Sequence, residues 1–190
     1  DDRSTRVDTF NFGADSVKFA LTGARQTDVA ATRYQTKSLA AFAQATVHIT
    51  DTLDLTLGGR YTEDDKDAVS SGTTTAPGIP LVAANFTTAQ GGKFSSFDPR
   101  VTLSYQPTRD LNFYASYNQG FKSGGFQYVP FSAAQANVVF EPESLDAYEV
   151  GFKTQLLDRR LTFNGSAYYY DYKDLQVLRV VAVPGGGAAT

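Results

Sequence analysis

The chain has no cysteine, no methionine and no tryptophan, and a single histidine among its 190 residues. Without cysteine there can be no disulfide, thiolate metal site or cysteine nucleophile, and the redox compartment stays undetermined. His48 stands alone, so no imidazole pair or triad motif is available, and no serine occupies a Gly-x-Ser-x-Gly elbow. A carboxylate pair of the glycosidase kind stays open, because sequence does not give a separation in space. The chain is therefore expected not to be an enzyme, and no cofactor or resident metal is assigned. A net charge of −3 gives no electrostatic case for nucleic acid. No stretch approaches the ~18 consecutive apolar residues that a spanning helix needs, which excludes a helical membrane protein and leaves a membrane barrel open. No secretory leader opens the sequence, since Asp1-Asp2-Arg3-Ser4-Thr5-Arg6 lacks an apolar region. The missing initial methionine and the ending Gly185-Gly186-Gly187-Ala188-Ala189-Thr190 are what a piece of a longer chain would show.

Against these absences stand 14 Phe and 11 Tyr. Tyrosine suits positions with one apolar and one wet side, so the excess favours sheets and interfaces. Mean hydropathy is only −0.28, as expected of strands that alternate apolar and polar residues.

That alternation is strictest at Leu53, Leu55, Leu57, Gly59 and Tyr61, set against Asp54, Thr56, Gly58, Arg60 and Thr62. Leu39, Ala41, Ala43, Ala45, Val47 and Ile49 share a face before it, although their alanines leave a helix open. A second hairpin pairs Phe97, Val101, Leu103 and Tyr105 with Leu111, Phe113, Ala115 and Tyr117. A third pairs Tyr148, Val150, Phe152, Thr154 and Leu156 with Leu161, Phe163, Gly165, Ala167 and Tyr169. Val17, Phe19 and Leu21 form a further candidate strand, followed by a polar connection over residues 22–37. Tight turns at residues 50–52, 107–110 and 158–160 alternate with long polar excursions over residues 63–92 and 122–144. Short turns at one end and long loops at the other are the pattern of an outer-membrane barrel, with the turns periplasmic and the loops extracellular. From Phe97 to Tyr105 the apolar face would span roughly 20 Å of height, near the ~25 Å apolar band of such barrels, with aromatic residues at each end.

Specific residues carry the next step. Leu111 to Phe126 spell LNFYASYNQGFKSGGF, and Phe140 to Gln176 spell FEPESLDAYEVGFKTQLLDRRLTFNGSAYYYDYKDLQ. Together with Leu57-Gly58-Gly59-Arg60-Tyr61-Thr62 and Phe97-Asp98-Pro99-Arg100-Val101, they resemble the barrel region of TonB-dependent receptors over roughly residues 38–177. The resemblance implies an all-β, antiparallel up-and-down transmembrane β-barrel, present here in part as about six or seven strands. Residues 1–190 would form a partial outer-membrane barrel domain without the family's plug domain or its energy-coupling box. The implied function is that of a fragment of a receptor for energised uptake of ferric siderophores or a similar scarce nutrient, in the outer membrane of a Gram-negative bacterium. Its implied partners are outer-membrane lipid, its own plug domain, the TonB energy-transducing complex, and an iron–siderophore or other small solute. Two alternatives remain at this point: a complete small barrel of about eight strands acting as anchor or pore, and a soluble β-sandwich binding module.

Candidate site residues follow from the pattern. Phe121, Lys122, Phe126 and Tyr128 put aromatic surface beside a cation in one excursion, as an anionic aromatic ligand would require. Arg60, Arg100, Glu149 and Lys153 fall on the polar, lumen-facing side, where they could pair across strands, grip a plug or contact a charged solute. Glu63-Asp64-Asp65-Lys66-Asp67 lacks the calcium-loop glycine and is expected to be a solvated outer loop. Gly120 to Gly125 has phosphate-loop spacing, yet Phe126 stands where lysine is required, so it signals only a loop. His48 is expected to be a polar filler on the lumen side.

Overall fold

A computed structural model describes residues 2–12, 26–75, 82, 85–177, 181–183 and 187–189. Its centre is a single seven-stranded antiparallel sheet, ordered β1-β2-β3-β4-β5-β8-β9. The strands are β1 (Asp2–Phe12), β2 (Gln26–Thr50), β3 (Leu53–Thr74), β4 (Phe86–Thr108), β5 (Leu111–Lys122), β8 (Glu143–Leu156) and β9 (Leu161–Lys173). Two short pairs accompany it: β6 (Gly125–Phe126) with β7 (Val139–Phe140), and β10 (Val181–Val183) with β11 (Gly187–Ala189). One turn of helix, α1 (Ala133–Ala136), lies between β6 and β7 and is capped by the Ser132 side chain, which accepts from the Gln135 amide.

Register fixes two faces. Val47, Leu55, Leu103, Ala115, Val150 and Ala167 are successive cross-strand partners and form one continuous apolar row. The next row runs Ala45, Leu57, Val101, Tyr117, Tyr148 and Tyr169, with ring centroids 5.1 Å apart at Tyr117–Tyr148 and 6.3 Å at Tyr148–Tyr169. None of the described residues covers this face: Leu103 is 41% exposed and Val150 58%. Such a contiguous uncovered apolar surface marks contact with lipid or protein. Gly59 belongs to it, and a Cβ there would meet the Phe97 ring at 2.6 Å, so the absent side chain is what lets the ring lie across the strand. The opposite face carries Thr46, Thr56, Thr102, Ser116, Glu149 and Tyr168 in one row.

The connections between β2 and β3, β4 and β5, and β8 and β9 are tight, as expected. The last turns through Leu157, Asp158 and Arg159, with φ of 56°, 56° and 66°. Arg159 Nε reaches Asp110 Oδ1 at 2.9 Å, joining two neighbouring turns, and His48 Nδ1 lies 2.6 Å from its cross-strand neighbour Asp54.

At the opposite end the sequence expectations need correction. Residues 26–37 belong to β2 instead of a polar connection, and they pair with β1 on one side and β3 on the other. The excursion over residues 63–92 is mostly strand as well: β3 continues to Thr74, β4 begins at Phe86, and residues 75–85 connect them. The reason is physical. Alternation reports an apolar environment on one face, whereas strand pairing needs only backbone donors and acceptors in register. Beyond Tyr61 the apolar face turns polar, with Glu63, Asp65 and Asp67 on β3 beside Lys37 on β2 and Lys93 on β4. This extension runs some 12 residues past the apolar band, on the order of 35–40 Å along the strand. Its tip closes on a small buried cluster in which Val82 and Asp28 are fully covered and the Val82 amide donates to Asp28 Oδ2 at 3.3 Å. Glu63 to Asp67 therefore lies within β3, where Asp64 and its odd-numbered neighbours point to opposite faces, so these carboxylates do not converge. The candidate strand at residues 17–21 lies outside the described residues.

The face assignment is testable. Leu103→Arg, at the middle of the apolar row, is expected to destabilise the folded protein by about 2–4 kcal/mol, and Thr102→Arg by far less. Urea unfolding in lipid vesicles measures the difference, and equal effects would show the faces to be misassigned.

Candidate functional site

The loop between β5 and β8, residues 123–142, does not stand away from the sheet. It folds inward over the polar face of the extended β2–β4 wall. The Phe126 ring is 2% exposed and meets Phe94 edge-on at 6.5 Å. Phe94, Tyr34 and Lys66 share the polar face of three adjacent strands. The Tyr34 hydroxyl donates to the carbonyls of Phe126 (3.0 Å) and Gln127 (2.7 Å), and Lys66 Nζ donates to the Gly124 carbonyl at 2.8 Å. Gln90 Nε2 donates to Asn137 Oδ1 at 2.8 Å. Gly124 has no room for a side chain: a Cβ would lie 2.4 Å from the Phe140 carbonyl and from the Phe94 ring.

The two ends of the loop are tied together from the other side. Lys122 Nζ lies 3.4 Å from Glu143 Oε2, and the Gln176 amide donates to the same oxygen at 3.1 Å. Gln176 Nε2 donates to the carbonyls of Ser123 (3.2 Å) and Glu141 (2.8 Å). Burial holds the Tyr34 phenol well above its ordinary value, with Tyr128 adding to the effect, and burial lowers the Lys66 ammonium.

Below this loop the polar face opens into a groove of about 670 Å³. It forms because β4 and β5 stay paired only up to Arg100 and Asn118, after which β5 continues beside β8 alone. Gly58 leaves the floor low between Gln44 and Arg100. Arg60, Arg100, Asp64 and Asp98 supply charge of both signs, while Phe42 presents a ring that is 78% exposed. Asp64 Oδ1 and Ser123 Oγ, on residues lining the groove, are covered yet have no hydrogen-bond partner among the described residues.

Of the residues singled out in the sequence, Arg60 and Arg100 meet in this groove, with Phe121 at its edge. Lys122 is turned to Glu143, Phe126 is consumed by packing, and Tyr128 is exposed against Tyr34 with ring centroids 4.8 Å apart. The four loop residues thus do not converge on one point. Glu149 and Lys153 lie lower on the polar face: Glu149 accepts from the Tyr114 hydroxyl, and Lys153 Nζ sits 5.6 Å over the Tyr114 ring. Sequence reasoning missed Tyr34, Lys66 and Phe94 because their strands lack alternation, and it missed Phe42 because alanines surround it. The exposed stacked pair Tyr168–Tyr170, with centroids 4.8 Å apart, also lies on the polar face and was legible as the inward half of the Tyr168-Tyr169-Tyr170 run.

A meander with one uncovered apolar face, one polar face, short turns at one end and a loop folded inward at the other is the wall of an outer-membrane-type β-barrel. The family profile described as "TonB dependent receptor-like, beta-barrel" matches residues 2–190, and the chain belongs to that family. The pesticin receptor of Yersinia pestis is 27% identical over 154 residues, which cover 78% of this chain and 21% of the relative. Among solved structures, the ferric yersiniabactin uptake receptor FyuA from Yersinia pestis superposes with a TM-score of 0.66 at 21% identity, covering 92% of this chain and 25% of that one. The alcaligin outer membrane receptor FauA from Bordetella pertussis gives 0.54 at 17% identity, covering 96% and 31%. The chain thus spans about a fifth of the length of the curated relatives it matches. Membership in this family of transport receptors sets aside the sandwich and small-barrel readings.

The inward packing of the loop makes its own prediction. Tyr34→Phe leaves two carbonyls short of a donor and is expected to weaken the loop's attachment by about 1–3 kcal/mol, read as faster amide exchange over residues 123–142. In the wild type, the folded state keeps the Tyr34 proton above about pH 10, where an unfolded tyrosine loses it. The folded state then binds more protons, so attachment weakens as pH rises through that range. The Phe variant should lack this alkaline loosening, and equal pH dependence in both proteins would refute the role of Tyr34.

Proposed function

We propose that this chain is part of the barrel of an outer-membrane receptor that takes up a scarce metal as its siderophore complex, driven by energy passed from a TonB complex. The observation that carries the reading is the family match across residues 2–190, joined to a two-faced sheet whose apolar band, roughly 20 Å by strand length, is near the ~25 Å band of outer-membrane barrels. The names of structurally similar proteins point the same way, since one is a ferric yersiniabactin uptake receptor and another an alcaligin outer membrane receptor. In this reading the apolar face meets outer-membrane lipid, and the remainder of the receptor supplies further strands and a plug domain against the polar face. The groove below the 123–142 loop is the proposed place of solute contact on the inner face, with Arg60, Arg100 and Phe121 as its proposed contacts. Lys122 and Tyr128 flank that path, and Glu149 and Lys153 belong deeper, towards the plug.

The test is uptake. The full receptor is expressed in a Gram-negative strain without its own ferric-siderophore receptors, and radioactive iron is followed from ferric yersiniabactin and ferric alcaligin. Accumulation that falls to background with a protonophore or on loss of TonB is the expected result. Passive, size-limited entry of unrelated small solutes without energy dependence would mean a pore instead.

A further inference from the structure

Arg60 and Asp98 are direct cross-strand partners on the polar face, the position in which opposite charges ordinarily pair. They do not pair. Arg60 Nε donates to the Thr62 hydroxyl at 3.1 Å, two residues along its own strand, and Asp98 Oδ1 accepts from the Ser96 hydroxyl at 2.6 Å, two residues along its own. Arg100, diagonal to Arg60 and next to Asp98 on the same face, forms no ion pair among the described residues, and neither does Asp64. Two guanidinium groups and two carboxylates thus line one groove, and none satisfies another within 4 Å. Hydroxyl groups hold the one natural pair apart.

From this arrangement we infer that the groove is a binding site for a bipolar solute, one that carries both carboxylate and protonated amine groups. The carboxylates of such a solute meet Arg60 and Arg100, whose guanidinium groups suit that geometry. Its amine meets Asp98, with Asp64 as the second acceptor. The exposed Phe42 ring supplies a wall for the hydrocarbon between them, and the low Gly58 floor gives the solute depth. A purely anionic solute fits less well, because two carboxylates share the groove with the two arginines and repel it. A purely cationic solute meets the mirror of that problem. The inference rests on the receptor reading and adds to it the chemical class of the solute's organic part.

The test uses the full-length receptor in detergent and three probes: the dipeptide lysylglutamate, which has charges of both signs, glutarate, which has only carboxylates, and cadaverine, which has only amines. Calorimetric titration is expected to give lysylglutamate an affinity at least ~10-fold above either singly charged probe, a difference of about 1.4 kcal/mol. Asp98→Asn should remove its advantage over glutarate, and Arg100→Gln should weaken both. The decisive variant is Thr62→Val with Ser96→Ala, which removes no charge: freed from their hydroxyls, Arg60 and Asp98 should pair and lysylglutamate affinity should fall at least ~10-fold, with the heat-modifiable barrel band on gels unchanged. Glutarate binding as tightly as lysylglutamate, no binding of any probe, or a double variant that binds normally would each overturn the inference. Energised iron uptake, measured separately, would persist in those cases if only this inference fails and would be absent if the receptor reading itself fails.

Discussion

The structure depends on the ladder of backbone hydrogen bonds that joins its seven long strands. A bilayer core offers no water, so each backbone donor and acceptor at that depth has to find a partner on a neighbouring strand. Pairing from β1 across to β9 meets that demand strand by strand, and because side chains alternate with a period of two, the same ladder sorts every residue onto one of two faces. The row from Val47 to Ala167 and the row from Thr46 to Tyr168 differ by a single step along the chain, yet one suits lipid and the other an aqueous interior. Turn contacts such as Arg159 with Asp110 reinforce this arrangement at the end where strands are joined by few residues.

At the other end the ladder no longer needs an apolar partner, and polar chemistry takes over. Lys122, Glu143 and Gln176 lie far apart in sequence but meet at the base of one loop, which ties together the two motif segments 111–126 and 140–176. That loop then rests on Tyr34, Lys66 and Phe94 instead of swinging freely, and the groove beneath it keeps a defined outline. The Arg60–Thr62 and Asp98–Ser96 contacts act on a smaller scale in the same way, by holding side chains in places that their nearest opposite charge would not choose.

Legibility in the sequence followed the apolar face. Where one face is apolar, as from Leu53 to Tyr61, alternation located the strand, its register parity and the polar position of Arg60 and Arg100. Where neither face is apolar, as from Thr62 to Thr74, the alternation vanishes even though Thr62, Ala68 and Ser70 are buried, and the stretch reads as a loop, although Val69, Thr73 and Thr74 carry the β-branching that strands favour. The family motifs placed the 123–142 loop but could not say which way it folds. Phe126 was readable as an aromatic near a cation, and only the neighbouring strands reveal that it is a packing residue. The separation of Arg60 from Asp98 was not legible at all, since sequence gives the partners of a strand no more than it gives their rotamers.

The long polar hairpin of β3 and β4 has a further consequence for how such receptors diversify. Above the apolar band its two strands pair in register from Tyr61–Phe97 to Gly72–Phe86, without a bulge. Lengthening or shortening it by two residues in each strand keeps every side chain on its original face, while a change of one residue in each reverses all those beyond it. Insertions and deletions in this outer wall should therefore be tolerated in even steps, so that the reach of the receptor beyond the membrane can drift between lineages while the band that holds it in place does not.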